Sequence, residues 1–227
     1  MEVLYWTILI IGGFLLGSIM FSQWIPKLLA GKDICNISVD NNPGTFNAFK
    51  YCGKKIGFLC LSLDVLKGFV PVLLASLFLN VDSVAFSLVM FAPALGHAIG
   101  LFNHFRGGKC IATSFGVMLG ILPVAWAPIV TLASLYIFLS AIVKIENAAK
   151  RSVVVYSLFM VISCTVLGFM GQPFVAIGCG LVAVLPIIKF LFSQNGMVEN
   201  RFHDENKELN QKNTDSNDHT NKILNET

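Results

Sequence analysis

The sequence predicts an all-α protein, a polytopic membrane helix bundle with about seven transmembrane helices. Of its 227 residues, 55% are hydrophobic and only 13% are charged, a composition that excludes an ordinary soluble domain. The mean hydropathy of +0.72 supports the same class. The apolar residues fall into runs close to the roughly 20 residues that a helix needs to cross a bilayer.

Six of these runs are long enough to be spans. They lie near residues 4–22, 56–79, 84–102, 124–143, 152–170 and 173–192. A seventh apolar segment, residues 110–122, is short, so we expect it to be tilted or partly re-entrant and packed among other helices. The first run has no basic segment before it and no small-residue cleavage site after it, so we expect it to be retained as a helix.

The basic residues predict the orientation of the bundle. They fall in three alternate loops: Lys27, Lys32, Lys50, Lys54 and Lys55 in the first, Arg106 and Lys109 in the third, and Lys144, Lys150 and Arg151 in the fifth. The connections on the opposite side contain no Lys or Arg. Because these cations concentrate in cytoplasmic loops, we expect the N-terminus outside and the C-terminus in the cytoplasm.

Two domains differ in composition. Residues 1–192 form the predicted membrane domain, and residues 193–227 form a polar tail rich in Asn and in charged side chains. Such a tail cannot bury enough apolar surface to fold alone, which predicts a disordered cytoplasmic extension. The six cysteines contain no C-x-x-C pair and have no His at ligand spacing, so we expect reduced thiols and no metal site.

The segment between the first two long apolar runs carries groups that suit an oxyanion. Its centre, residues 40–50, reads DNNPGTFNAFK. Gly44 follows a proline in a predicted turn, and Asn42, Thr45 and Asn47 supply short polar side chains beside free backbone N–H groups. Plain connecting loops often have this composition as well. A length of about 30 residues, in a chain whose other connections are short, favours a functional segment.

A second candidate loop lies in residues 96–113, which read GHAIGLFNHFRGGKCIAT. Gly107 and Gly108 let backbone N–H groups approach an anion closely, and Lys109 adds a mobile cation at the same place. This pattern predicts a phosphate-binding loop at the bilayer surface. The alternative is that Arg106 and Lys109 only anchor the neighbouring span at the membrane interface.

Charged residues also interrupt the predicted second span. Asp64 and Lys67 have i,i+3 spacing and therefore share a helical face. Because each charge costs about 2.5–3.5 kcal/mol at mid-span, we expect this face to point into the bundle. Either the two residues form an internal ion pair, or Lys67 extends its ammonium towards the inner membrane surface. The functional alternative is that the helix lines a polar pocket open to the cytoplasm. His97 is a further pocket candidate, although a core histidine is the default interpretation at such a position.

Taken in order, these residues resemble a known family. Gly17-Ser18, the N-x-G-x-x-N loop at residues 42–47, Asp64-x-x-Lys67-Gly68 and the GH…F..F.GGK..AT run ending at Thr113 are similar to the bacterial acyl-phosphate:glycerol-3-phosphate acyltransferases. The resemblance implies a seven-helix protein of the bacterial inner membrane with an external N-terminus. It also implies acyl transfer from acyl-phosphate to the sn-1 hydroxyl of glycerol 3-phosphate, which gives lysophosphatidic acid for phospholipid biosynthesis.

The resemblance matches Asn42, Gly44 and Asn47 to the phosphate-binding positions of the family's first loop, and Lys109 to the phosphate-binding lysine of the second. Together with the residues identified above, and with Asp40 and Lys50 at two further positions of the first loop, this gives the candidate site. The candidate catalytic residues are Lys109, Lys50 and Asp40, the candidate phosphate-binding residues are Asn42, Gly44, Thr45, Asn47, Gly107 and Gly108, and the possible pocket residues are Asp64, Lys67 and His97. Acyl-phosphate, glycerol 3-phosphate and membrane lipids are the implied partners. No cofactor, metal or nucleic acid is implied.

This chain departs from the family pattern at several positions. Asp40 stands where the family usually has Ser, Phe46 where it has Thr, and Lys50 where it has Arg. The last helix also lacks the expected segment with His and Asn. A second class of function, a non-catalytic paralogue that binds lipid or phosphometabolites or transports them, is therefore the alternative to an enzyme.

Overall fold

The computed structural model describes residues 1–145 and 148–192, and within these ranges every regular element is helical. The helices are α1 (Glu2–Ser18), α2 (Phe21–Ala30), α3 (Ile34–Ile37), α4 (Thr45–Phe78), α5 (Val84–Ile99), α6 (Ile111–Gly120), α7 (Ala127–Ile137), α8 (Ala148–Phe169) and α9 (Pro173–Phe192). A 3-10 turn, Leu101–Asn103, follows α5, and a π-helical segment, Phe138–Ile142, continues α7. The predicted all-α class is confirmed. The predicted tail, residues 193–227, lies outside the described residues.

Four of the described helices are long and apolar enough to cross a membrane: α4, Val84–Asn103, Lys150–Phe169 and α9. Helices α1 and α2 are bent by 42° at a short break and would together make a fifth span. Helix α6 and the segment Ala127–Ile142 are apolar but shorter. The short α6 agrees with the element expected at residues 110–122, while the total of seven spans stays a prediction.

The segment expected to be a long loop between the first two spans is largely helical. Helix α2 continues to Ala30 and ends on Gly31, whose φ of 62° lies in the left-handed region that glycine adopts without strain. Helix α4 already begins at Thr45, well before the predicted start of the second span. Its backbone breaks at Gly53, where φ is 81°. The expectation of a loop was therefore wrong for most of this segment, because its helical stretches are too short or too charged to contain an apolar run of transmembrane length, on which the span prediction rested.

Glycines allow the closest helix crossings in the bundle. Helix α4 packs against α6, where a Cβ on Gly68 would lie 2.3 Å from the carbonyl oxygen of Thr113. Helix α1 packs against α5, where a Cβ on Gly17 would lie 2.2 Å from the carbonyl oxygen of Pro93. Small residues permit such backbone contact between helices in a membrane. These crossings place the end of α5 and the start of α6 beside α4.

The outer surface of the bundle is apolar. Large side chains such as Phe78 and Phe169 are 75% and 90% exposed, whereas Phe86, Tyr156 and Phe159 are fully buried. An exposed apolar surface of this extent is typical of a protein that faces lipid. The bundle thus has a packed interior and a surface suited to a bilayer.

Candidate functional site

The two predicted phosphate loops meet in the structure. Lys109 Nζ lies 2.6 Å from Asp40 Oδ2, although the two residues are 69 positions apart in the sequence. Loops in direct contact lie at the same end of the bundle, as the distribution of cations predicted. The ion pair joins the segment before α4 to the Gly-Gly-Lys loop before α6.

Asn47 organises the first loop. Its side-chain amide donates to Asp40 Oδ1 at 2.9 Å and to the carbonyl oxygen of Asn42 at 2.8 Å. Gly44 is the residue that precedes the first turn of α4, and a Cβ there would lie 2.4 Å from the side-chain nitrogen of Asn42. The structure therefore brings the predicted site residues Asn42, Gly44, Asn47 and Asp40 together, and their roles stay predictions.

The second loop folds back on the end of α5. The backbone N–H of Gly108 donates to the carbonyl oxygen of His97 at 2.9 Å. A Cβ on Gly107 would lie 2.0 Å from the carbonyl oxygen of Ala98, and a Cβ on Gly108 would lie 2.2 Å from His97 Nε2. Neither position has room for a side chain. The two glycines thus hold the loop against the helix end, with Lys109 directly after them.

The Asp40–Lys109 pair is partly open to solvent. The side chains of Asp40 and Lys109 are 20% and 16% exposed. Partial burial raises the pKa of the Asp40 carboxyl, but the hydrogen bond and the charge of Lys109, together with the Asn47 hydrogen bond, have the larger combined effect and hold that pKa below its usual value. Asp40 is therefore a carboxylate at neutral pH and neutralises the lysine.

The end of α9 completes the surroundings of Lys109, a contribution that the sequence reasoning missed. Lys109 Nζ lies 4.6 Å from the centre of the Phe190 ring, within cation–π range. The neighbouring Lys189 is partly buried on the same helix. The only sequence signal was position: Lys189 and Phe190 stand where the resemblance calls for a polar segment at the end of the last helix.

A second charged cluster lies inside the bundle beneath the loops. Asp64 Oδ1 lies 2.8 Å from Lys67 Nζ, and neither side chain is exposed. Lys67 also donates to the carbonyl oxygen of Ile19 at 2.6 Å, in the break between α1 and α2. Asp64 Oδ2 accepts from Ser22 Oγ and from Thr45 Oγ1, the latter at 3.1 Å. The structure therefore contains the internal ion pair, one of the alternatives that the sequence left open. Thr45 donates to Asp64, and its role as a phosphate ligand stays a prediction.

His97 lies between this buried pair and the second loop. Its Nδ1 lies 4.0 Å from Asp64 Oδ1, and no described residue forms a hydrogen bond with that nitrogen. The other side of the ring packs on Gly108. His97 therefore links the interior of the bundle to the Gly-Gly-Lys loop by contact.

Lys50 is the predicted site residue that the structure leaves apart. It is exposed on α4, with its Nζ 5.3 Å from the centre of the Tyr51 ring. Within the described part of the chain Lys50 forms no ion pair. Its catalytic role stays a prediction.

The site has the donors that an oxyanion needs at a membrane surface. A lysine ammonium and an asparagine amide converge on one carboxylate, and a glycine loop lies directly before the lysine. Charge-assisted hydrogen bonds of this kind hold phosphate groups and stabilise charge that develops on oxygen. The buried Asp64–Lys67 pair supports the loops from below and is closed to solvent.

The sequence matches a known protein family. The model of the glycerol-3-phosphate acyltransferase family matches residues 7–196. The glycerol-3-phosphate acyltransferase of Maridesulfovibrio salexigens is 32% identical over 180 residues, which cover 79% of this chain and 87% of that protein. The enzyme of the same name from Lactococcus lactis subsp. lactis is 28% identical over 198 residues, which cover 87% of this chain and 91% of that protein.

The fold is also similar to that of a solved acyltransferase. The crystal structure of PlsY, an integral membrane glycerol 3-phosphate acyltransferase, in its glycerol 3-phosphate form matches with a TM-score of 0.73 and 28% identity, over 86% of this chain and 93% of that one. Its lysophosphatidic acid form matches with a TM-score of 0.65 and 26% identity, over 88% of this chain and 92% of that one. The predicted multi-pass membrane bundle is confirmed. Sequence and fold together establish that this chain belongs to the glycerol-3-phosphate acyltransferase family.

Proposed function

We propose that this chain transfers an acyl group from acyl-phosphate to the sn-1 hydroxyl of glycerol 3-phosphate, with lysophosphatidic acid and inorganic phosphate as products. Family membership makes it an acyltransferase of phospholipid synthesis. The observation that supports the proposal most strongly is the meeting of the two loops at Lys109, where a cation, an amide and a glycine backbone adjoin an apolar bundle.

The reaction needs positioning and charge stabilisation more than a nucleophile from the protein. The acceptor hydroxyl oxygen attacks the acyl carbonyl carbon, the bond from that carbon to the phosphate oxygen breaks, and phosphate leaves with the bonding electrons. The hydroxyl proton passes to a phosphate oxygen of the donor. Both substrates carry phosphate, so a lysine and amide donors can hold them together and stabilise the charge on the departing group.

The residues take separate roles in this proposal. Lys109 binds phosphate by a charge-assisted hydrogen bond, and Asn47 and Asn42 orient it from the first loop. Gly107 and Gly108 keep the second loop close to the helix end, so that the lysine reaches the first loop. The acyl chain lies along the apolar surface between helices, where membrane lipids also contact the protein.

The function is tested with purified protein in detergent. Incubation with acyl-phosphate and glycerol 3-phosphate should release lysophosphatidic acid and inorganic phosphate in equal amounts, and omission of either substrate should abolish lysophosphatidic acid formation. Phosphate release without lysophosphatidic acid would indicate hydrolysis and contradict the proposed acceptor. Substrate-dependent flux in sealed vesicles, without either product, would favour a transporter.

We also propose that the loops face the cytoplasm of a bacterial cell and that the N-terminus lies outside. Cys52 is the better reporter for this orientation, because it is partly exposed whereas Cys35 is buried. A membrane-impermeant thiol reagent should leave Cys52 unlabelled in intact cells and label it after permeabilisation. Labelling of Cys52 in intact cells would reverse the orientation.

A further inference from the structure

One carboxylate satisfies the donors that are expected to hold the substrate's phosphate. Asp40 Oδ2 accepts a hydrogen bond from Lys109 Nζ at 2.6 Å, and Asp40 Oδ1 accepts one from Asn47 Nδ2 at 2.9 Å. Lys109 and Asn47 come from different loops, and both are candidate phosphate ligands. The two carboxylate oxygens of Asp40 thus accept the hydrogen bonds that two oxygens of a bound phosphate would accept.

A second contact holds the Lys109 ammonium near this position. The Phe190 ring lies 4.6 Å from its ammonium, on a helix distant in sequence. A phosphate bound to the same ammonium would come within a few ångströms of the Asp40 carboxylate, and like charges at such a distance repel strongly in a partly buried place. Phosphate and the Asp40 carboxylate therefore cannot both occupy Lys109 without a large electrostatic cost.

The pair is nevertheless open to exchange. Asp40 and Lys109 are 20% and 16% exposed, so solvent and solutes reach them. Asp40 lies in the short segment between α3 and α4, outside both helices, where a change of side-chain direction disturbs little packing. The buried Asp64–Lys67 pair, with no exposure at either side chain, offers no such opportunity.

We propose that Asp40 sets the affinity of the acceptor site, as an internal anion that occupies Lys109 and Asn47 and that the acceptor's phosphate displaces on binding. The inference rests on the proposed function for the identity of the acceptor. As a consequence, half-saturation of the site requires a higher concentration of the phosphate-bearing substrate than it would if Asp40 did not compete for Lys109 and Asn47.

The test is a binding measurement without acyl donor. Equilibrium dialysis of radiolabelled glycerol 3-phosphate against the detergent-solubilised full chain should give a dissociation constant about tenfold lower for Asp40→Asn than for the parent, the size expected when a competing charge-assisted contact is removed. Asp40→Ser should give a gain of similar size, and it replaces Asp40→Asn if that variant fails to fold. Asp82→Asn removes the same charge from an exposed turn and should leave the constant unchanged.

Two further comparisons test whether tighter binding by Asp40→Asn comes from removal of a competing carboxylate or from another cause. The affinity for inorganic phosphate, measured by competition, should increase in Asp40→Asn by the same factor as the affinity for glycerol 3-phosphate. The reason is that the phosphate group, which both ligands have, is what displaces Asp40. The gain should vanish when Asp40→Asn is introduced into Lys109→Ala. An unchanged or higher dissociation constant for Asp40→Asn, a gain restricted to glycerol 3-phosphate, or no phosphate binding by parent and variants would each overturn the inference. Tighter binding without acyl transfer would support it while contradicting the proposed function.

Discussion

Two of the Asp–Lys pairs in the described part of this chain, Asp64–Lys67 and Asp40–Lys109, differ in how they are built. Asp64 and Lys67 are neighbours on one helix, both are fully buried, and the lysine also bonds to the carbonyl oxygen of Ile19. Asp40 and Lys109 come from loops 69 residues apart and keep some exposure to solvent. A pair sealed inside the bundle holds helices together, whereas a pair at a loop junction is free to exchange one partner for a ligand. Under the proposal above, the same pair of side chains serves structure in one place and ligand binding in the other.

The largest expected effect comes from breaking the buried pair. Lys67→Met leaves the Asp64 carboxylate uncompensated in the interior, which should cost about 3–5 kcal/mol of unfolding free energy. The loss is measured by heating the protein in detergent and recording, by size-exclusion chromatography, how much of the monodisperse peak remains at each temperature. The double variant Asp64→Asn/Lys67→Met removes both charges and should be less destabilised than Lys67→Met alone. A double variant as unstable as the sum of the single variants would show that the two charges are not coupled.

Breaking the Asp40–Lys109 pair should change activity and phosphate binding rather than stability. Lys109→Ala removes a charge-assisted contact to phosphate worth about 1.5–3 kcal/mol, so activity or phosphate affinity should fall roughly tenfold or more while membrane insertion stays intact. Arg106→Ala is the matched control, because Arg106 is an exposed cation in the same loop. Equal losses in both variants would mean that the loop only needs positive charge, and equal phosphate binding by Lys109→Ala and the parent would return Lys109 to the role of an interface anchor.

The contact between His97 and the second loop connects the buried pair to the loop pair. We expect a smaller effect on activity when this contact is disturbed. A methyl group at position 108 would lie 2.2 Å from His97 Nε2, so Gly108→Ala must shift the loop or the ring. We expect the KM for glycerol 3-phosphate to rise several-fold, because Lys109 moves with the loop. Gly168→Ala adds the same methyl group in a helix where nothing lies within 4 Å, and it should leave the KM unchanged. An unaltered KM in Gly108→Ala would show that the loop tolerates displacement.

The smallest effect is the pH dependence of stability that Asp40 contributes. Because the pKa of Asp40 in the folded chain lies below its ordinary value of 3.8, the stabilisation is fully present above pH 3.8 and is lost as the pH falls through the folded pKa. For a partly exposed pair the gain should stay near or below about 1 kcal/mol. The difference in unfolding temperature between the parent and Asp40→Asn should therefore be constant from pH 7 to about 4.5 and shrink below pH 3.8. A difference that grows on acidification would contradict the sign.

The sequence by itself determined the features that depend on local patterns. Apolar runs specified a membrane helix bundle, the i,i+3 spacing placed Asp64 and Lys67 on one inward face, and the Gly-Gly-Lys motif located the second loop. These predictions succeeded because helical periodicity and the cost of burying charge act within a few residues. Local patterns could not specify the helices of the first connecting segment, since they lack an apolar run of transmembrane length.

Only the tertiary structure decided which distant residues meet. The Asp40–Lys109 pair, the Phe190 ring over Lys109 and the hydrogen bond from Ser22 to Asp64 join residues separated by tens of positions. Tertiary packing also turned Thr45 towards Asp64 and left Lys50 exposed, although both carry the polar groups of a site residue. Such contacts follow from how glycine-lined helices cross and how loops fold back on helix ends. A chain's residue types set which contacts are favourable, whereas the packing of the whole bundle sets which of them form.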